Sequence, residues 1–200
     1  MATRYLQPEA FKAWTRNEIQ TDDDEWIEDA IDAATQWLDN ELGRRVELAT
    51  GSATSRVFVP NGTPILPIDD CVSVASITEN GSLVAAAAYQ LEPLNGRTVA
   101  GESVPYSSVR RLYDIDWYAD YGRATISISA NWGWATIPSL ILESCKIVAK
   151  DILANRTVTF GIVAATEQAA FSARLNPTVA KTIEQYGAPQ GLTIIDFIGA

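Results

Sequence analysis

The apolar positions of this 200-residue chain fall into two grammars, helical at both ends and strand-like in the middle. A first helix is predicted from Pro8 to about Thr15, with Pro8 in its first turn and Phe11 and Trp14 as a small apolar face. A longer helix, about 22–43, follows. Ile27, Ile31, Ala34, Trp37, Leu38 and Leu42 recur at helical spacing, with Trp26 and Ala30 widening the stripe. Thr21 or Asp22 can cap it. Asp22, Asp23, Asp24 and Glu25 load its first turn with negative charge that suits the helix dipole. Gly43 stops it, and Arg44 and Arg45 lie at the negative end of the dipole.

From about 55 to 133 the period shortens to that of strands and turns. Arg56 to Val59 reads as a strand closed by Pro60, Val72 and Val74 alternate until the phase slips near Ile77, and Tyr89 and Leu91 share a face. The clearest strand is Arg123 to Trp132. Ala124, Ile126, Ile128, Ala130 and Trp132 point one way, and Thr125, Ser127, Ser129 and Asn131 the other. Asn-Gly pairs beginning at Asn61, Asn80 and Asn95 mark turns, the second placed as in a hairpin. This is an antiparallel, half-buried β-rich insert.

Helical spacing returns at about 138–155, where Ile141, Cys145, Val148 and Ile152 form a stripe and Lys146, Lys150 and Asp151 a wet side. This helix is expected to pack on the acidic one. The fold class is thus α+β: a small helical bundle with an inserted antiparallel β module, together a core of residues 1–157. Residues 158–200 are expected to form a C-terminal arm. Its short helix, 177–186, has an Asn176 cap, Pro177 in the first turn, Val179, Ile183 and Tyr186 on one face, and a Gly187 stop. An apolar, β-prone run from Leu192 to Ile198 ends the chain. Such an arm either reaches a partner or folds back on its own domain; the partner reading is preferred here. It implies that deleting residues 171–200 leaves a folded core.

Composition narrows the function. A net charge of −10 argues against gripping nucleic acid, which needs Lys and Arg to displace counterions, but suits a surface over which DNA slides. Histidine is absent, which removes the commonest general base and metal ligand. No phosphate-binding loop, dinucleotide fingerprint, nucleophile elbow or CxxC motif occurs, so no enzyme, cofactor or metal is expected. The Asp22–Glu25 cluster is explained by capping rather than a cation. Asp114, Asp116 and Asp120 lack the glycine and glutamate of a calcium loop. Trp132 and Trp134, with Tyr113, Trp117, Tyr118 and Tyr121, are either an aromatic platform, for instance for carbohydrate, or packing between strand and helix. Cys71 and Cys145 read as buried thiols. No apolar run approaches the ~18 residues of a membrane span, and the N-terminus lacks an apolar signal region, so synthesis in the cytoplasm is expected.

Three segments in order carry a family resemblance: the short helix leading into DDDEWIEDAIDAATQWLDNELGRR, the stretch VSVASITENGSLVAAAAYQLEP followed by Pro105-Tyr106, and ATISISANWGWATIPSLILESCKIVAKDILANR. Across roughly residues 5–157 the chain resembles the head–tail connector (adaptor) proteins of tailed bacteriophages. The resemblance implies a structural virion protein of the neck, made in the host bacterial cytoplasm, without enzymatic activity. It implies a ring of about twelve copies, whose cyclic symmetry requires two different patches per subunit. The ring would sit beneath the portal protein, let DNA pass without sequence-specific binding, and dock a stopper or tail-completion protein. It further implies that the C-terminal portion contacts the portal, here Phe171, Arg174, Leu175, Val179, Ile183 and Tyr186. The charged groups Asp22, Asp23, Asp24 and Glu25 on one side and Arg44 and Arg45 on the other are the candidate subunit interface.

Overall fold

A computed structural model describes residues 4–16, 24–95, 103–113, 115–118, 120, 122–156 and 176–188. The chain is α+β and divides into two compact units: a helical one from Met1–Arg45 and Pro138–Ala200, and a β one from Val46–Ile137.

In the helical unit, α1 spans Pro8–Trp14, α2 Asp24–Leu42, α3 Ser139–Arg156 and α4 Pro177–Tyr186. The stripe of α2 is buried at Ile27, Ala30, Ile31, Ala34, Leu38 and Leu42, and that of α3 at Ile141, Cys145, Val148, Ala149, Ile152 and Leu153. The two helices pack against each other, as their facing stripes require. Trp26 departs from the expected stripe and is 42% exposed. The helix stops at Gly43, whose φ of +62° is the left-handed conformation of a helix C-terminus.

Helix α4 has the expected boundaries and cap: the Asn176 side chain accepts from the Thr178 N–H at 3.0 Å, and the Gly187 N–H returns to the Ile183 carbonyl. Its place is not the expected one. It packs on α3 and α2 of its own unit, with Val179 and Tyr186 buried and Ile183 half-buried. Two buried hydroxyls, Ser144 of α3 and Thr182 of α4, bond each other at 2.8 Å, and the Ala188 N–H donates to the Leu42 carbonyl at 2.7 Å. The division into a core ending at 157 and an arm carrying helix 177–186 therefore gives way to a bundle in which α4 is a structural member. The reason is that an apolar face at helical spacing is buried by whatever complementary stripe is within reach, and α2 and α3 supply one.

In the β unit, β1 is Thr54–Phe58, β2 Ile65–Glu79, β3 Ser82–Leu83, β4 Tyr89–Glu92, β5 Tyr106–Arg111 and β6 Ile126–Trp132. The antiparallel sheet runs β1-β6-β2-β5-β4, with β3 beside β2. Strand β6 buries Ile126, Ile128, Ala130 and Trp132 in strict alternation, leaving Ser127, Ser129 and Asn131 half-buried on the other face. The phase slip near Ile77 corresponds to irregularities of the β2–β6 register between Cys71 and Ser73 and between Val74 and Ser76. The hairpin at Asn80-Gly81 joins β2 to β3 with positive φ at both residues, +49° and +80°, the conformation a two-residue turn of this kind demands.

Beyond β6 the chain turns through Trp132-Gly133-Trp134. Gly133 has φ +109°, and a Cβ there would lie 2.5 Å from the Glu47 carbonyl oxygen and 2.9 Å from the Ala49 nitrogen. The close approach lets the Trp134 N–H donate to Glu47, the Ala49 N–H to Trp134, and the Gly133 N–H to Asp70, at 2.7, 2.9 and 2.7 Å.

Two outcomes follow from this packing. Gly133→Ala combines backbone strain with a backbone collision and should lower stability by about 3 kcal/mol or more, measured by urea or thermal unfolding. Tyr186→Ala should cost about 3 kcal/mol, as truncation of a buried aromatic does, whereas a free arm helix would leave stability unchanged.

Candidate functional site

The charged residues expected to face neighbouring subunits lie on α2 and just past its end. Asp24 opens the helix, exposed and ion-paired with Lys12, and Glu25 is exposed beside it; Asp22 and Asp23 fall outside the described residues. Glu28 and Asp32 are gathered by Arg4, whose Nη2 lies 2.9 Å from Glu28 and whose Nε lies 2.5 Å from Asp32. Bonding to Asp32 above all raises the Arg4 pKa, so this guanidinium stays charged. Tyr5 donates its hydroxyl proton to Asp39. These contacts tie the segment before α1 to the acidic helix. Arg45 is exposed and Arg44 half-buried beyond Gly43. A helix of 19 residues separates the acidic end from the cationic one by about 28 Å at 1.5 Å per residue. Within one subunit the two sets do not meet; the patches stand at opposite ends of one rigid element.

The residues expected to contact a portal divide. Phe171, Arg174 and Leu175 lie outside the described residues, Val179 and Tyr186 are consumed by the core of the helical unit, and Ile183 is half-buried.

The aromatic platform is not formed. Trp132 and Trp134 are 6% and 1% exposed, and their indole N–H groups donate inward to the Thr54 carbonyl at 2.8 Å and to Asp70 at 2.9 Å. Arg56 covers the Trp132 ring, 4.7 Å from its centroid. Neither ring offers a face to a sugar, so carbohydrate binding through this pair is withdrawn; Trp132 belongs to the β core, and Trp134 is buried with its N–H on Asp70. Trp117 is also fully buried. Its N–H bonds the Val109 carbonyl, Arg111 lies 4.9 Å over its ring, and Glu79 holds both Arg111 (2.9 Å) and the Tyr118 N–H (2.8 Å). This half-buried pair holds Trp117 and Tyr118 on the sheet. No local pattern announces it, because Glu79 and Arg111 are 32 residues apart.

Among the described residues, no group of three or more His, Cys, Asp or Glu is placed to hold a metal ion. Open clefts in the β unit include two bordered by described residues. One of about 320 Å³ is bordered by Val57, Thr78, Asp120, Arg123 and Ser127, and one of about 470 Å³ by Cys71, Pro93, Val104 and Tyr106. Both cysteines are buried and unbridged, and burial pushes each thiol up to about 12.

Sequence periodicity missed where the exposed apolar surface is. Of nine large hydrophobic side chains exposed among the described residues, eight are in the β unit: Leu48, Val57, Val59, Leu83, Leu94, Tyr113, Ile115 and Tyr118. Only Trp26 belongs to the helical unit. Among the described residues, the β unit carries most of the exposed large apolar side chains. A strand signal in the sequence does not say whether the strand will lie at an edge.

No family model matches the sequence, and no curated protein matches it. The fold is similar to that of solved chains from gene transfer agent (GTA) particles. A chain from the neck of an empty GTA particle, computed with C6 symmetry, superposes with a TM-score of 0.53 at 13% identity, over 82% of this chain and 88% of that one. A chain from the virion of a native GTA particle gives 0.49 at 16% identity, over 82% and 88%. One from the neck of a native GTA particle, computed with C12 symmetry, gives 0.43 at 14%, over 84% and 94%. At these identities the likeness to the first is one of fold, across most of both chains.

The thiol environments set a test. In native protein at pH 8, Cys71 and Cys145 should resist alkylation for hours, and both should react within minutes in denaturant, read by mass spectrometry. Rapid labelling of either one in the native state would mean that its unit opens readily.

Proposed function

We propose that this chain is a structural subunit of the neck of a phage-like particle, a head–tail connector whose copies form a ring beneath the portal, complete the DNA-filled head and dock a stopper or tail-completion protein. The observation that carries this reading is the fold shared with a chain of a GTA neck over 82% of this chain and 88% of that one. The ordered resemblance of residues 5–157 to phage connectors points the same way. Two features of the molecule support it. Acidic and cationic groups stand at opposite ends of α2, as a head-to-tail interface between identical subunits needs, with Asp24 and Glu25 of one copy facing Arg44 and Arg45 of the next. A charge of −10 per subunit, multiplied around a ring of about twelve, makes a channel that repels phosphate and lets DNA pass without sequence-specific binding. Portal contact falls to Phe171, Arg174 and Leu175, with Ile183 at the margin, since Val179 and Tyr186 have a role inside the subunit. The work is assembly, with no bond-making step and no cofactor.

Particles produced without a working copy of the gene test the reading. DNA-packaged heads lacking tails should accumulate beside free tails in electron micrographs, and supplying the protein should restore joining. Normal tailed particles in its absence would refute the proposal.

A further inference from the structure

Among the described residues, strand β1 stands at the end of the sheet and pairs on one side only, with β6. Exposed edges are normally blunted by Pro, Lys, a bulge or a cover, because their free N–H and C=O groups accept any passing strand. The opposite edge, β4, has four residues, enters from a 3-10 turn at Ala86–Ala88 and meets Pro93 at its end. By contrast, β1 contains no proline, lysine or register shift from Thr54 to Phe58, and its β-branched continuation stays open to Pro60. Val57 is 68% and Val59 51% exposed. On the other face, Phe58 packs on the β core and its ring lies 5.8 Å from Trp132. The single charge of the strand, Arg56, is drawn across the sheet to Asp69 at 2.7 Å and over the Trp132 ring, so it does not guard the edge.

The chain itself contains a strand that suits this edge. Past Ala188, anchored on Leu42, the sequence runs on into a further apolar stretch. It contains Leu192-Thr193-Ile194-Ile195-Asp196-Phe197-Ile198, a β-prone run with Leu192, Ile194 and Ile198 on one alternating face beside Asp196, and Ile195 and Phe197 on the other beside Thr193. Extended, the link from Ala188 to Leu192 spans about 13 Å at 3.3 Å per residue, so a strand at 192–198 pairs with an edge that lies close to the end of α4.

We propose that residues 192–198 of each copy add as a strand to the β1 edge of the neighbouring copy, so that backbone hydrogen bonds link the subunits in sequence. The inference rests on the ring reading above and deepens it. Tail and edge are two different surfaces whose pairing propagates head to tail, the geometry a closed ring requires.

Disulfide trapping in rings isolated from particle necks tests it. The pairs Val57→Cys with Ile194→Cys and Val57→Cys with Ile195→Cys cover both faces of the incoming strand, and the two native thiols are buried out of reach. Mild oxidation should convert at least one pair into a ladder of covalent multimers on a non-reducing gel, while Val57→Cys with Ala180→Cys stays monomeric. Rings that form but yield only monomers, or a monomer closed by an internal disulfide, would overturn strand exchange and leave the ring reading intact. A chain that forms no ring in particles would overturn both. As an independent measure, removal of residues 189–200 should weaken self-association at least tenfold, and unchanged association would also overturn the proposal.

Discussion

The β unit depends on a place where a side chain is forbidden. The chain enters this unit at Val46 and leaves it at Ile137, and the two passing segments are held together where Gly133 brings its Cα against the backbone of Glu47 and Ala49. Three short backbone bonds converge there, to Glu47, from Ala49 and to Asp70. They fix the start of the unit, the middle of β2 and the end of β6 relative to one another. The flanking indoles then close the site from both sides, Trp132 onto Thr54 and Trp134 onto Asp70. The β unit of 92 residues thus has its first residues clasped to the end of β6.

The two units meet different physical demands. In the helical unit α2, α3 and α4 bury their stripes on one another, and α2 turns a row of carboxylates outward, held in part by Arg4 and Lys12. The β unit keeps apolar side chains outside and an unblunted edge at β1. In a protein that works alone this combination would be a hazard for aggregation. In a subunit of an ordered assembly it is a supply of binding energy, and a negatively charged helical surface discourages indiscriminate contact between copies. That distribution is what gives the assembly reading a physical basis beyond likeness of fold.

Much of the secondary structure was legible in the sequence because its signals are local. Helices α2, α3 and α4 lie within two residues of the ranges expected from period and caps, and β6 alternates as its sequence does. The turn at Asn80-Gly81 follows from the φ values that those two residues tolerate. The candidate site was less legible. Asp24, Glu25, Arg44 and Arg45 were found as charges at helix ends, yet their separation along one rigid element emerges only once α2 is built.

What the sequence determined by itself was therefore the period of each segment, the stops between segments, the charge and the absence of histidine, all properties of neighbours in the chain. The tertiary structure decided which apolar faces are used up inside and which are left over. It put Val179 and Tyr186 into the core of the helical unit, turned Trp132 and Trp134 inward, joined Glu79 to Arg111 around Trp117, and left β1 at an edge with Val57 outside. Each of these depends on a partner tens of residues away. An apolar residue at a given spacing marks the face it shares, and only the packed chain decides whether that face is buried and against what.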